Sequence, residues 1–139
     1  MKKDYKTGKD WLKLYDSKGV LISLSCYAYN KNGDIDVLAI YDNSGSLYRQ
    51  EEYTYNRNNQ LKYRKVFDRY GKKIVKIEFR YSQKGEVVEE KGTVDNKLQI
   101  HFQLEYLKYD YMGNWLKMIR SEKLTGKTEI LLRSIEYYE

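Results

Sequence analysis

Between residues 35 and 87 the apolar side chains tend to fall on every second position: Ile35, Val37, Ala39 and Tyr41 in one run, then Tyr53 and Tyr55, Leu61 and Tyr63, and Val75, Ile77, Phe79 and Tyr81. A period of two is that of a β-strand with one buried face. Polar segments carrying Gly or Asn separate the runs. They place strands near 10–15, 20–29, 34–41, 46–55, 60–67, 72–81, 86–94, 97–109, 114–124 and 127–138, about ten in all. No stretch carries the spacing of an amphipathic helix of useful length.

The polar segments repeat. YDSKGVL (15–21), YNKNGDI (29–35), YDNSGSL (41–47), YNRNNQL (55–61), FDRYGKK (67–73), YSQKGEV (81–87) and YDYMGNW (109–115) align without gaps. An eighth copy, VDNKL at 94–98, has lost its glycine and is one residue shorter. From Tyr15 to Tyr81 the leading aromatics are spaced alternately 14 and 12 residues apart, so one period of 26 residues holds two strands and two turns. That is an antiparallel meander. An Asp, Asn or Ser after the aromatic suits the first position of a type I turn, and the Gly three residues on supplies the left-handed conformation that closes it with a bulge. Asn59, in place of Gly, is the residue best able to tolerate that conformation. The same arithmetic sets Tyr41 across from Leu47, Tyr55 from Leu61 and Tyr81 from Val87.

Extending this register without interruption gives one apolar face, interrupted by Arg49, Glu51, Lys65 and Lys73, with Glu51 directly opposite Lys65. The set Ile22, Leu24, Cys26 and Ala28 then falls on the other face, which asks for a bulge, a change of layer or burial on both sides. Leaving so large an apolar face wet would cost tens of kcal/mol, at roughly 1.5 to 3 kcal/mol for each large side chain. The expectation is an all-β, single-domain (1–139), up-and-down meander whose sheet is strongly curved, flattened into a barrel or folded into two packed layers.

Composition narrows the function classes. The chain of 139 residues has room for one core, and its 41% hydrophobic content rests on 16 tyrosines, which favour strands. The net charge of +6 comes from Lys and Arg interspersed with Asp and Glu, without the basic block of a nucleic-acid-binding stripe. No stretch approaches the roughly 20 apolar residues of a membrane span. The start MKKDYKTGKDW has no apolar run behind its lysines, which reads as cytoplasmic if Met1 is the native start.

Candidate chemistry is sparse. His101 and Cys26 are the sole His and Cys, so neither a nucleophile with its base nor a four-ligand zinc set is available, and no cofactor or metal is expected. Asn30, Asn32, Asp34 and Asp36 gather oxygens around Gly33, but Tyr41 stands where a calcium loop needs its bidentate Glu. Glu51-Glu52 and Glu89-Glu90 are strand neighbours pointing to opposite faces, which precludes an acid/base pair. Non-enzymatic chemistry is therefore expected. Binding candidates are Tyr27, Tyr29, Tyr53, Tyr55, Tyr63 and Tyr81, which suit a protein or carbohydrate partner, and the charges Arg49, Glu51 and Lys65. Inward-facing tyrosines would instead form a ladder that holds the repeat together. A closed barrel would turn Tyr53, Tyr63 and the three charges toward a small amphipathic ligand.

The unit Tyr-x-Tyr-Asp-x-x-Gly-x-Leu, as in EEYTYNRNNQL, YDNSGSL and LKYDYMGNWL, resembles the YD repeat, or rearrangement-hotspot repeat, of bacterial surface and secreted proteins. The resemblance spans about Tyr15 to Trp115 and fits a short stand-alone form. It implies a β-sheet scaffold or binding module without shared catalytic residues, in a cell-envelope or secreted context.

Overall fold

The computed structural model describes residues 2–4 and 9–138. They form β1 (Lys2–Asp4), β2 (Lys9–Tyr15), β3 (Leu21–Tyr29), β4 (Ile35–Asp42), β5 (Leu47–Tyr55), β6 (Leu61–Asp68), β7 (Lys73–Tyr81), β8 (Val87–Val94), β9 (Lys97–Tyr109), β10 (Trp115–Glu122) and β11 (Thr128–Leu132). All eleven belong to one sheet in sequence order, every pair antiparallel. β1 and β11 stand at opposite edges, so the sheet is open rather than closed into a barrel, and among the described residues no second layer covers it.

The turns form as their residues dictate. Asp42 N–H donates to Ser46 O at 2.9 Å and Gly45 N–H to Asp42 O at 3.1 Å. Asp42 Oδ1 accepts the Ser44 and Ser46 amides at 2.9 and 3.0 Å. Asp16, Asn30, Asn56, Asp68 and Asp110 repeat this arrangement. Gly45 has φ +84 and Asn59 φ +62, the left-handed values the turn demands. The shortened copy closes as a two-residue hairpin on Asp95 (φ +47) and Asn96 (φ +64). Gly92 is no turn residue: it lies inside β8, where a Cβ would meet Ile100 at 3.0 Å.

Tyr41 faces Leu47, Tyr55 faces Leu61 and Tyr81 faces Val87, in agreement with the turn arithmetic. Beyond these pairs the uninterrupted register fails. One residue after each pair the returning strand carries an extra, unpaired residue: Ile22, Asp36, Tyr48, Lys62, Ile74 and Val88. Each such β-bulge moves the rest of its strand by one position and so to the other face. Leu24, Cys26 and Ala28 therefore lie across from Tyr41, Ala39 and Val37, on the same face, and the expected conflict disappears. Lys65 sits across from Glu52, not Glu51, on the face opposite Arg49 and Glu51. The first face carries Leu38, Ile40, Tyr55, Val66, Val75, Ile77, Phe79 and Tyr81; the second carries Ala39, Tyr41, Tyr63, Lys65 and Phe67.

A single layer buries little. Among the described residues the buried apolar side chains are Cys26, Ala39, Val66 and Met118. The accessible surface is 10316 Å², against roughly 7,600 Å² for a compact monomer of 16.8 kDa.

Candidate functional site

The aromatic positions at one end of the sheet are tied to the backbone. Tyr55 donates its hydroxyl to Ile35 O at 2.7 Å, Tyr81 to Leu61 O at 2.6 Å and Tyr106 to Val87 O at 2.7 Å. Each phenol thus reaches across to a carbonyl beside the preceding turn on its own end of the sheet, satisfying an acceptor where strand pairing gives out. Tyr29 donates to Asp10 Oδ2 at 2.8 Å. Burial pushes the Tyr55, Tyr81 and Tyr106 phenols up, with nearby Asp34, Glu90 and Glu86 adding to the effect, which keeps them as donors. Tyr27 lies on the same end, partly buried. Tyr55, Tyr81 and Tyr106 thus form a row of phenols that donate to backbone carbonyls.

Glu51 is 3% exposed. It is held by Arg64, with which it forms an ion pair, and accepts the Tyr53 hydroxyl at 3.1 Å. Because the bulge at Lys62 displaces β6 by one residue, Val66 rather than Lys65 stands across from Glu51, and Arg64, across from Tyr53, reaches Glu51 diagonally. Tyr63 lies on the other face, 3.4 Å from Glu78 Oε1, with the Lys76 ammonium 4.5 Å from its ring centre. Arg49, Glu51 and Tyr53 therefore share one face, while Lys65 and Tyr63 share the other.

A second buried carboxylate was not apparent from the sequence. Glu89, 6% exposed, lies 2.7 Å from Arg80 Nη1, 2.8 Å from His101 Nε2 and 3.4 Å from Lys91 Nζ. The His101 hydrogen bond outweighs burial and, with Arg80 and Lys91, holds the Glu89 carboxyl at about 2. His101 and Cys26 stand on β9 and β3, six strand spacings of about 4.8 Å apart. Burial raises the Cys26 thiol, partly offset by Lys9. Among the described residues no group of three His, Cys, Asp or Glu gathers to hold a metal ion. No helix is long and apolar enough to cross a membrane.

Open grooves indent the sheet among the described residues. One, of about 350 Å³, runs beside Arg80, Glu89, Gln103, Glu105, Ser121 and Lys123 on the second face. Another, of about 410 Å³, lies between Tyr48, Arg49, Asp68, Arg69, Tyr70 and Ile74. Tyr48 and Tyr70 are 55% and 87% exposed. The sequence signal for them is an aromatic at slots the other repeat copies fill with varied residues, a bulge in one case and a turn position in the other.

No protein-family model and no curated protein matches this chain. Among solved structures, a chain of the crystal structure of TcdB2-TccC3-TEV is similar over 86% of this chain and 9% of its own length, at 14% identity and a TM-score of 0.34. This chain therefore spans less than a tenth of that one.

Proposed function

We propose that this chain is a non-enzymatic β-repeat module of the YD-repeat type, which offers its open sheet to a protein or glycan partner in an envelope or secreted setting. The single layer carries this reading: the surface exceeds that of a compact monomer by about a third, so both faces remain available for docking. The groups a catalyst would draw on also support it, because Glu51 is engaged by Arg64 and Glu89 by Arg80, Lys91 and His101. The two carboxylates lie on opposite faces and cannot act on one substrate. A purely structural repeat is the second reading, favoured by the tyrosines that donate to backbone carbonyls.

Generic esterase, phosphatase and glycosidase substrates provide the test. The expected result is no turnover by the wild type above that of Glu51→Gln and Glu89→Gln. Robust turnover abolished by either substitution overturns the proposal.

A further inference from the structure

The edge formed by β11 lacks the devices that keep an exposed strand from pairing. It carries no proline, lysine or bulge. Ile130 and Leu132 share one face of it and are 62% and 74% exposed. Its backbone groups alternate in direction. Arg133 N–H donates to Leu116 O at 3.0 Å and Lys127 O accepts the Glu122 amide at 2.8 Å, so the odd-numbered residues bond to β10. Thr128, Ile130 and Leu132 therefore turn their N–H and C=O groups outward, away from the sheet.

Around Leu131 the side chains have the same chemistry read in either direction. An antiparallel copy related by a two-fold axis normal to the sheet at Leu131 sets Leu131 against Leu131 of the second copy, Ile130 against Leu132, Glu129 against Arg133 and Thr128 against Ser134. Aliphatic meets aliphatic, carboxylate meets guanidinium and hydroxyl meets hydroxyl, and the two-fold axis repeats each pairing. Adjacent registers break the match. An axis at Ile130 sets Glu129 against Leu131, one at Leu132 sets Arg133 against Leu131, and one at Glu129 sets that carboxylate against itself.

Both charges stand within reach of an arriving strand. The Glu129 side chain is 66% exposed and 3.9 Å from Arg120 Nη1. Arg133 is exposed, its guanidinium carbon 4.0 Å from the Trp115 ring centre, and it gives Nε to Trp115 O, which uses one of the fork's N–H donors. Glu129, Leu131 and Arg133 fall at the non-hydrogen-bonded positions of the pairing, where opposing side chains come closest.

We infer that β11 pairs with β11 of a second copy of this chain, joining two sheets into one. Ile130 and Leu132 supply the central backbone hydrogen bonds, and their exposed side chains close over the junction. An unrelated extended peptide would satisfy the same backbone groups, whereas the copy also matches the side chains at every position. So short a pairing is weak, and in dilute solution β11 remains an edge.

This pairing goes beyond the proposed binding role, and its failure leaves the substrate test untouched. Sedimentation of the full chain from about 10 μM to 1 mM is the measurement. The expected result is a reversible equilibrium between monomer and dimer that ends at twice the chain's mass. Glu129→Arg and Arg133→Glu should each be monomeric over that range, because each sets like charges together at both ends of the pairing. Mixed in equal amounts, the two variants should dimerise again, since every position 129 then meets an opposite charge at 133. Circular dichroism of both should match the wild type, because both side chains are exposed. Ile130→Pro should also be monomeric with unchanged strand content, as it removes an outward N–H and no bond to β10. A monomeric wild type, assemblies larger than a dimer, a dimer that survives either charge reversal, or a mixture that stays monomeric each overturns the inference.

Discussion

At the scale of single residues the turns are governed by backbone conformation and the ladder by one hydroxyl. Gly45 has φ +84 and open space where a Cβ would stand, so Gly45→Ala should cost only the left-handed strain, about 1 kcal/mol. Asn59 already occupies the equivalent place at φ +62, and Asn59→Gly should change stability by less than about 1 kcal/mol. Denaturant titration of both variants checks the pair, and a larger loss at Asn59 than at Gly45 would contradict the turn assignment. Tyr55→Phe keeps the ring and removes the donor to Ile35 O, for an expected loss of about 1 kcal/mol. The ring position should persist, so near-ultraviolet circular dichroism should remain native.

At the scale of strands, each face's charge depends on the bulges. Removing Arg64 leaves Glu51 buried without its cation, and Arg64→Met should cost about 3 to 5 kcal/mol. Adding Glu51→Leu should recover most of that loss, a coupling that a double-mutant cycle measures directly. Glu89 gives a pH signature. Its carboxyl sits at about 2 in the folded chain against the ordinary 4.5, so between those values the unfolded chain binds more protons and stability rises with pH. The contribution is complete above about pH 4.5 and is lost as pH falls toward 2. Stability followed across pH 2 to 5.5 should therefore climb less steeply in Glu89→Gln than in the wild type; equal slopes would refute the caged carboxylate. The turns and the aromatic-aliphatic pairs were legible because Asp, Asn and Gly have turn chemistry of their own. The bulges were not: Ile22, Asp36, Tyr48, Lys62, Ile74 and Val88 share no chemistry, and nothing local marks them. One missed residue per strand sufficed to exchange Lys65 for Arg64 beside Glu51, and to hide that Glu89, Lys91 and His101 meet. Tyr48 was passed over for the same reason.

At the scale of the molecule, the single layer formed by the described strands makes folding quasi-one-dimensional. Backbone pairing joins each described strand only to the strands before and after it, so stability is chiefly a sum of neighbour interfaces rather than the property of one shared core. The strongest part should be the middle, where Glu51 and Val66 are buried and each strand has two partners. The edge at β11 should be weaker than the middle, since Ile130 and Leu132 are 62% and 74% exposed and only β10 holds it. Hydrogen exchange should therefore grade outward, slowest in β5 to β7 and fastest in β11. A chain ending at Lys123 should lose the β10–β11 interface and remain folded from β2 to β9, with strand content per residue little changed. A protein built around a common core would behave otherwise: the truncation would unfold it throughout and exchange would be uniform across the central and peripheral strands. Exchange measured by mass spectrometry on both chains separates the two cases, because an open stack transmits the loss of one edge only to its immediate neighbour.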